Sequence, residues 1–449
     1  MLIQPASLSR RTWLQAAGAL IGPVAASASL HYPLQPLQAA QVRRPKVAAI
    51  YTEFRHRSHI YNFLMNLMGK IPFRGQRVDP GVDVVSFYAD QFPDGDMSRE
   101  ASARFKLPLY KTIDEALCLG GKYLAVDAVL LIGEHGNYPL SELGQRMYPR
   151  KEFFDQIVKV MRRSERFVPI FNDKHLSYRW DWSKAMYDEA RALGIPLMAG
   201  SSVPLAQRVP AIEFPKDAQV VEAVSIHGGG IESYDFHALE VLQSFIEARK
   251  GGERGVSRVE LLTGQAFEQA QAAGRWSQDL ADAAMAAETN ANFQRQQRAG
   301  KLPAAPPKAQ HALIVTYKDG TQGTVLKVGS TADRWNFACR LAGQEKPLAT
   351  ALYNGPWGNL CLFSALSHAI SHFFKTGKSP YPVERTLLVS GILDASMHSH
   401  KDGGKPIATP QLEFAYPPQD FSPFRETGET WRTITVDTPQ PLTFEPYGA

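Results

Sequence analysis

Cysteine is scarce in this chain: Cys118, Cys339 and Cys361 are the three among 449 residues. None has a partner at metal-binding spacing, so a zinc site built on thiolates is excluded. The odd count and the apolar neighbours favour buried thiols over a disulfide framework. Long hydrophobic runs are also missing. The apolar stretch from Ala16 to Ala28 is broken by Gly18, Gly22 and Pro23 and is too short for a permanent membrane span, and no later stretch qualifies. The chain also has no basic stripe with interleaved aromatics. Its formal net charge of +5 lies partly in the N-terminal segment and Arg43-Arg44, so nucleic acid is not an expected partner.

The N-terminus reads as an export signal. Ser9-Arg10-Arg11-Thr12-Trp13-Leu14-Gln15 matches the twin-arginine pattern, the apolar run follows, and Ala26 and Ala28 offer a cleavage site. Residues 1–40 are therefore expected to be signal and linker. The mature protein is expected in the periplasm, or otherwise exported, without a permanent membrane anchor.

From Val47 to Ser202 strands alternate with helices. Apolar runs at Val47–Ile50, Val82–Tyr88, Val126–Ile132, Phe167–Phe171 and Pro196–Ala199 are separated by helical patterns at Met97–Phe105, Thr112–Leu117, Glu152–Arg163 and Ser183–Leu193. Parallel strands need crossover helices, so the pattern predicts a doubly wound α/β domain over 44–205. After Pro204 the character changes. Strands at Gln219–Ile226, Ser257–Thr263, His311–Tyr317 and Gly323–Val328, with helices at Ser233–Arg249, Asn359–Lys375 and Pro382–His398, predict an α+β domain over 206–449 with a mostly antiparallel sheet. Lys318-Asp319-Gly320-Thr321 marks a hairpin. The proline-bearing segment Asn290–Lys308 reads as an exposed linker.

Glycine is missing where a dinucleotide-binding fold would need it most. After the first strand the turn runs Tyr51-Thr52-Glu53-Phe54-Arg55-His56-Arg57-Ser58-His59, and Tyr51, Glu53 and His56 fall on the three positions of G-x-G-x-x-G. Those glycines let backbone N–H groups approach a pyrophosphate. Side chains there fill the space. A carboxylate about 4 Å from a phosphate, at an effective dielectric near 20, costs roughly 4 kcal/mol, about a thousandfold in affinity. Arg55 and Arg57 are the candidate phosphate ligands in compensation, and Asp90, ending the second strand, is placed for a ribose hydroxyl.

The order of elements resembles the glucose–fructose oxidoreductase and inositol dehydrogenase family (Gfo/Idh/MocA). Four places carry the resemblance. Val126–Ile132 resembles the family's fourth strand, whose following loop passes the nicotinamide and here brings His135 there. Phe171-Asn172-Asp173-Lys174-His175-Leu176 lies where the family has Glu-Lys-Pro. Gly228-Gly229-Gly230, followed by Asp235-Phe236-His237-Ala238-Leu239-Glu240, resembles a glycine-rich turn and an Asp-x-Gly-x-His-x-x-Asp helix. Matching His237 costs a one-residue gap and leaves Asp235 two residues before it. Pro382–Ser399 with Gly403–Pro410 resembles the closing helix and strand. The resemblance implies a Rossmann-like domain joined to a mostly antiparallel sheet. It further implies a small carbohydrate or polyol as substrate, NAD or NADP as cofactor, and a homo-oligomer. Its catalytic residues would be Lys174, His237 and Asp235.

Two rival readings stand beside this one. Strand-end loops carry Glu53, His56, His59, Glu134, His135, Asp173, His175, His227, Glu232, Asp235 and His237. A crevice of that composition fits metal-assisted or plain acid–base lyase or hydrolase chemistry, with a divalent metal held by some of them, although no compact ligand pattern such as H-E-x-x-H assigns the ligands. The other rival is a non-catalytic sugar-binding protein. His368 and His372 share a helix face at i,i+4 but have no carboxylate beside them, and a packed or solvated face is expected.

Overall fold

Alternate residues of the first strand enter two different cores. In β1 (Lys46–Tyr51), Val47, Ala49 and Tyr51 join one hydrophobic cluster, and Ala48 and Ile50 join another. A strand buried on both faces belongs at the centre of a sheet covered on both sides. The computed structural model, which describes residues 43–215, 217–288 and 308–447, has this architecture. The expected export segment and nearly all of the expected Asn290–Lys308 linker lie outside the described residues.

The chain proceeds through α1 (His59–Leu67), a small hairpin of β2 (Ile71–Phe73) and β3 (Gln76–Val78), β4 (Asp83–Ala89), α2 (Ser98–Phe105), β5 (Leu109–Tyr110) and α3 (Ile113–Cys118). Then come β6 (Ala128–Ile132), α4 (Arg150–Arg163), β7 (Ile170–Asp173), α5 (Trp180–Leu193) and β8 (Leu197–Gly200). The strands pair in parallel in the order β5-β4-β1-β6-β7-β8. Local chemistry sets several ends. Thr112 and Glu115 form a reciprocal capping box on α3, and Gly194 ends α5 at φ +66°.

The second sheet begins after β8. It comprises β9 (Gln207–Val209), β10 (Val220–His227), β11 (Val256–Thr263), β12 (Ala309–Tyr317), β13 (Gln322–Val328), β14 (Trp335–Leu341), β15 (Leu348–Tyr353) and β16 (Ile407–Ala408). Its order is β16-β11-β12-β13-β10-β14-β15-β9, antiparallel except where β10 runs parallel to β13. The hairpin at Lys318–Thr321 joins β12 to β13 as its sequence predicts, closed by Tyr317 N–H donating to Thr321 O at 3.0 Å. The sheet's helices are α6 (Asp235–Ile246), α7 (Gly264–Ala272), α8 (Gln278–Glu288), α9 (Asn359–Thr376) and α10 (Val383–Lys401).

Arg44–Ala449 forms one compact unit. Helix α10 shows why. Thr386 Oγ1 on it lies 3.1 Å from Ala199 O of the first sheet and 2.9 Å from Glu240 Oε1 on α6, within hydrogen-bond reach of both. The change of sheet between β8 and β9 therefore does not separate two independent bodies. Cys118, Cys339 and Cys361 are all buried. Among the described residues no helix is long and apolar enough to cross a membrane. His368 stacks on Phe73 at 4.2 Å and His372 meets Phe424 edge-on at 4.9 Å, so that pair of histidines forms a packed face.

Candidate active site

The carboxyl ends of parallel strands leave polar loops facing one crevice, and the chemistry gathers there. Beyond β7, Lys174 takes a left-handed backbone conformation (φ +63°) with its N–H on Gly200 O of β8. A non-glycine residue in this region carries a steric cost and marks a position that the surroundings hold firmly. The turn directs Lys174 Nζ onto Glu134 Oε1 at 2.8 Å. The other oxygen of Glu134 accepts from Arg150 Nη2 at 2.5 Å, and Arg150 Nη1 lies 3.3 Å from His175 Nε2. All four residues are buried. Arginine only donates, so Nε2 of His175 is the acceptor and the ring is neutral.

A second pair stands beside this network. His59, the first residue of α1, places Nδ1 2.6 Å from Asp173 Oδ2. Asp173 accepts that proton, which leaves Nε2 of His59 as the ring's second functional nitrogen. His59 packs edge-on against His135 at 5.1 Å and Phe363 at 4.9 Å. From the other sheet, α6 brings His237, whose Nδ1 is 2.7 Å from Ser201 Oγ.

The electrostatics sort these groups. Burial opposes charge on Glu134, but Lys174 and then Arg150 outweigh it and hold its pKa well below the carboxylate range. Burial, reinforced by Arg150, keeps His175 well below the ordinary histidine value. Burial and Lys174 do the same to His237. His135 falls to about 3, through burial and then the nearby His59. Glu232 goes the other way: burial pushes it up to about 7 against the pull of Lys174.

The remaining residues singled out in the sequence are placed as follows. Asp235 is fully buried and turned away from the crevice: its Oδ1 accepts from His227 Nε2 at 2.9 Å and His311 Nε2 at 2.8 Å. With both oxygens engaged and no exposure it cannot meet a substrate. The carboxylate near Lys174 on this turn is Glu232. Arg57 points at the C-terminal segment, donating to Trp357 O at 3.2 Å and Gln440 Oε1 at 2.8 Å, and is not free for a phosphate. Arg55 is on the crevice side, between Glu53 Oε1 at 2.6 Å and His135 Nδ1 at 3.0 Å. Asp90 directly follows β4, close to its expected place, but its carboxylate accepts from Tyr88 OH at 3.0 Å and Tyr138 OH at 2.6 Å.

Of the three side chains at glycine-motif positions, only Glu53 faces the crevice. Tyr51 is fully buried in the core against Phe54 and Phe87, and His56 is exposed beside Tyr61. More consequential are the links above β1. Gln91 N–H donates to Thr52 O at 2.8 Å, Met97 N–H to Phe54 O at 2.6 Å, and Phe54 N–H to Asp96 Oδ2 at 2.9 Å. The side chain of Gln91 bonds Asn137 in both directions, at 3.1 and 2.8 Å. Since β1 lies between β4 and β6, the Gln91–Asn137 and Asp90–Tyr138 links join the loops after β4 and β6 across the end of β1. That is where a bound dinucleotide's pyrophosphate lies in a Rossmann fold.

Comparison with solved structures identifies the architecture. GenD2 from gentamicin A biosynthesis, solved in complex with NAD, superposes with a TM-score of 0.52 at 14% identity, over 84% of this chain and 99% of that one. Myo-inositol 2-dehydrogenase from Lactobacillus plantarum superposes with a TM-score of 0.50 at 12% identity, over 82% and 99%. The chain has the Gfo/Idh/MocA fold. No protein-family profile matches it, and no curated protein does.

Within the Gfo/Idh/MocA fold the triple glycine has a packing role here. A Cβ on Gly228 would lie 2.4 Å from Thr331 O, and one on Gly229 would lie 1.9 Å from the Tyr234 ring. Among the described residues, His227, Asp235 and His311 are the group whose atoms could gather on a metal ion. Gly229 N–H donates to His227 Nδ1 at 3.2 Å, which puts the imidazole proton on Nε2, where a metal would need a lone pair. The set therefore fits a hydrogen-bonded carboxylate better than a divalent cation.

Sequence reasoning named His59, Glu134 and Glu232 only as members of a polar crevice, named Asp173 and His175 there and in the Glu-Lys-Pro-like segment, and missed Arg150 and Ser201. Arg150 lies two residues before the helical pattern read at Glu152–Arg163 and opens the helix in the structure. Its one available signal was its place just past the strand-end loop that carries Glu134.

Proposed function

We propose that this protein is an exported enzyme acting on a carbohydrate or polyol by proton transfer, in a Gfo/Idh/MocA-fold crevice that has given up its dinucleotide. The observation that carries the reading is the His59–Asp173 pair at 2.6 Å beside the buried Lys174–Glu134–Arg150 network. A carboxylate on Nδ1 fixes the imidazole's tautomer and orientation and stabilises the imidazolium that forms when Nε2 takes a proton. His59 is thus the base. Lys174, ion-paired and buried, is a hydrogen-bond donor for a substrate oxygen that gains negative charge, in place of the base that the family resemblance implies. His237, neutral and held by Ser201, hydrogen-bonds a substrate hydroxyl.

The residues present do not fit a nicotinamide dinucleotide. No glycine lies between Tyr51 and Met68, Glu53 faces the crevice, and the loops after β4 and β6 are bonded across the end of β1. No step here is routed through that group. A second reading, hydride transfer, is favoured by one observation: a structure of the same fold was solved in complex with NAD.

The test is turnover in deuterated water, followed by proton NMR, on a panel of hexoses, inositols and uronates. His59→Ala should lower the rate about a hundredfold or more, the usual contribution of a positioned base. Unchanged turnover in His59→Ala and Lys174→Ala would refute the reading. Export is supported by the N-terminal sequence alone, Arg10-Arg11 with the apolar run and the small residues Ala26 and Ala28 after it. Replacing both arginines by Lys should leave the protein unexported, and undiminished periplasmic protein would contradict this.

A further inference from the structure

We propose that Glu232 is the proton donor of this crevice, held in place by the buried His227–Asp235–His311 network, and that the reaction is elimination from an oxidised sugar. The proposal rests on the acid–base reading above and names the partner that His59 lacks there.

Glu232 lies between the glycine-rich turn and α6 with φ +65°, one of four non-glycine residues around the crevice in the left-handed region, with Arg57, His135 and Lys174. Its conformation is held from below. Asp235 Oδ2 accepts the Glu232 N–H at 2.9 Å, and Asp235 Oδ1 is fixed by His227 and His311. Burial opposes the charge on Asp235, but His311 and then His227 keep its pKa below the ordinary value. The network thus presents a permanent anion to one backbone N–H, a use that accounts for three fully buried polar side chains at no exposed surface. The Glu232 carboxyl reaches into the crevice, with Oε1 4.0 Å from His175 Nε2. The charged and titratable groups around it are Lys174 and His175 after β7, Glu134 after β6, Arg150 on α4 and Asp235 on α6.

Among these groups His175 is held neutral and Glu134 is held ionised, whereas Glu232 sits near neutrality at about 7. A group near the working pH is the one suited to give and regain a proton. An imidazole base can remove a carbon-bound proton only where a carbonyl or carboxylate beside that carbon acidifies it. The substrate class is therefore a uronate or another sugar bearing such a group. His59 takes the C–H proton, and the bonding pair forms a carbon–carbon double bond. The adjacent C–O bond breaks with its electrons on oxygen, and the Glu232 proton goes to that oxygen. The proton on His59 returns to Glu232 through water once the products leave. No oxidant or reductant takes part.

Two measurements test this. Carbon-13 carboxyl NMR of glutamate-labelled protein should show a resonance titrating near neutral pH that disappears in Glu232→Gln. Glu240, which is also pushed up to about 7, supplies a second resonance that Glu240→Gln removes. In Asp235→Asn the Glu232 resonance should shift its midpoint, which a merely structural aspartate would not cause. With uronate-containing disaccharides, the wild type should release an unsaturated product and Glu232→Gln should be slowed about a hundredfold or more. If Lys174→Ala and His59→Ala lose activity and Glu232→Gln does not, this proposal fails and the acid–base reading stands. If no variant loses activity, the reading itself fails. No uronate turnover by the wild type overturns the elimination. The absence of a Glu232 resonance titrating between about pH 6 and 8 overturns the proton-donor role, and stoichiometric metal in the purified protein overturns the network's.

Discussion

The two sides of this crevice have kept different things. On the β4–β1 side, Rossmann topology survives, but the space beyond the strands is taken up by internal bonds: Gln91 to Asn137, Asp90 to Tyr138, Met97 to Phe54. On the β7–β8 side, the strand ends and the start of α6 carry buried Lys174, Asp173 and His175 and half-buried Glu232 and His237, linked to one another or to His59, Glu134, Arg150 and Ser201. One side is satisfied by hydrogen bonds among its own loops. The other holds neutral histidines and a carboxyl near neutrality. A fold's topology is fixed by buried apolar faces, whereas its ligand sites depend on a few loop residues that change without disturbing the sheet.

The sharpest way to break the active side is Arg150→Met. Arg150 is fully buried and holds both Glu134 and His175. Removing it leaves a buried carboxylate with Lys174 alone, and breaking such a pair costs about 3–5 kcal/mol. Urea unfolding should show that loss. Next comes Glu232→Gln, through pH. Its folded pKa is raised from 4.5 to about 7, so the wild-type carboxyl is fully tolerated below about pH 4.5 and its burial costs stability as pH rises through 7. At 1.36 kcal/mol per unit, the variant should gain up to about 3 kcal/mol on the wild type between pH 4.5 and pH 8. A constant difference across that range would show that the carboxyl is not buried as described. The closed side should respond least. Gln91→Ala removes two hydrogen bonds between partly exposed loops and should cost about 1–2 kcal/mol, with turnover unchanged. A large loss of turnover would tie the closed side into the chemistry.

Much of the scaffold was legible. The alternation of apolar runs and helical patterns predicts the parallel sheet, and Lys318–Thr321 predicts its hairpin. β14 and β15 were not read: Trp335–Leu341 interrupts its apolar residues with Asn336 and Arg340, and Leu348–Tyr353 is short and carries two alanines of little strand preference. Lys174 and His237, which the family resemblance singles out, both lie at this crevice, Lys174 on Glu134 and His237 on Ser201. Asp235 was placed in the crevice because spacing from His237 says nothing about which way a helix-start side chain turns, and Glu232, three residues earlier, is the carboxyl that faces it. The links across the end of β1 were illegible for a simpler reason. Gln91 and Asn137 are 46 residues apart, and Arg57 and Gln440 are 383 apart. Only the missing glycines pointed there.

Calorimetric titration of the wild-type protein with NAD and NADP tests the central claim, that the dinucleotide side is closed while the proton-transfer side is intact. Glu53→Gly is the companion variant. Removing one carboxylate does not open the links between the loops after β4 and β6, so both proteins should show no binding tighter than about millimolar, a free energy of roughly 4 kcal/mol. A micromolar or tighter dissociation constant for the wild type would contradict the account, and would assign the phosphates to Arg55 after a movement of the loops.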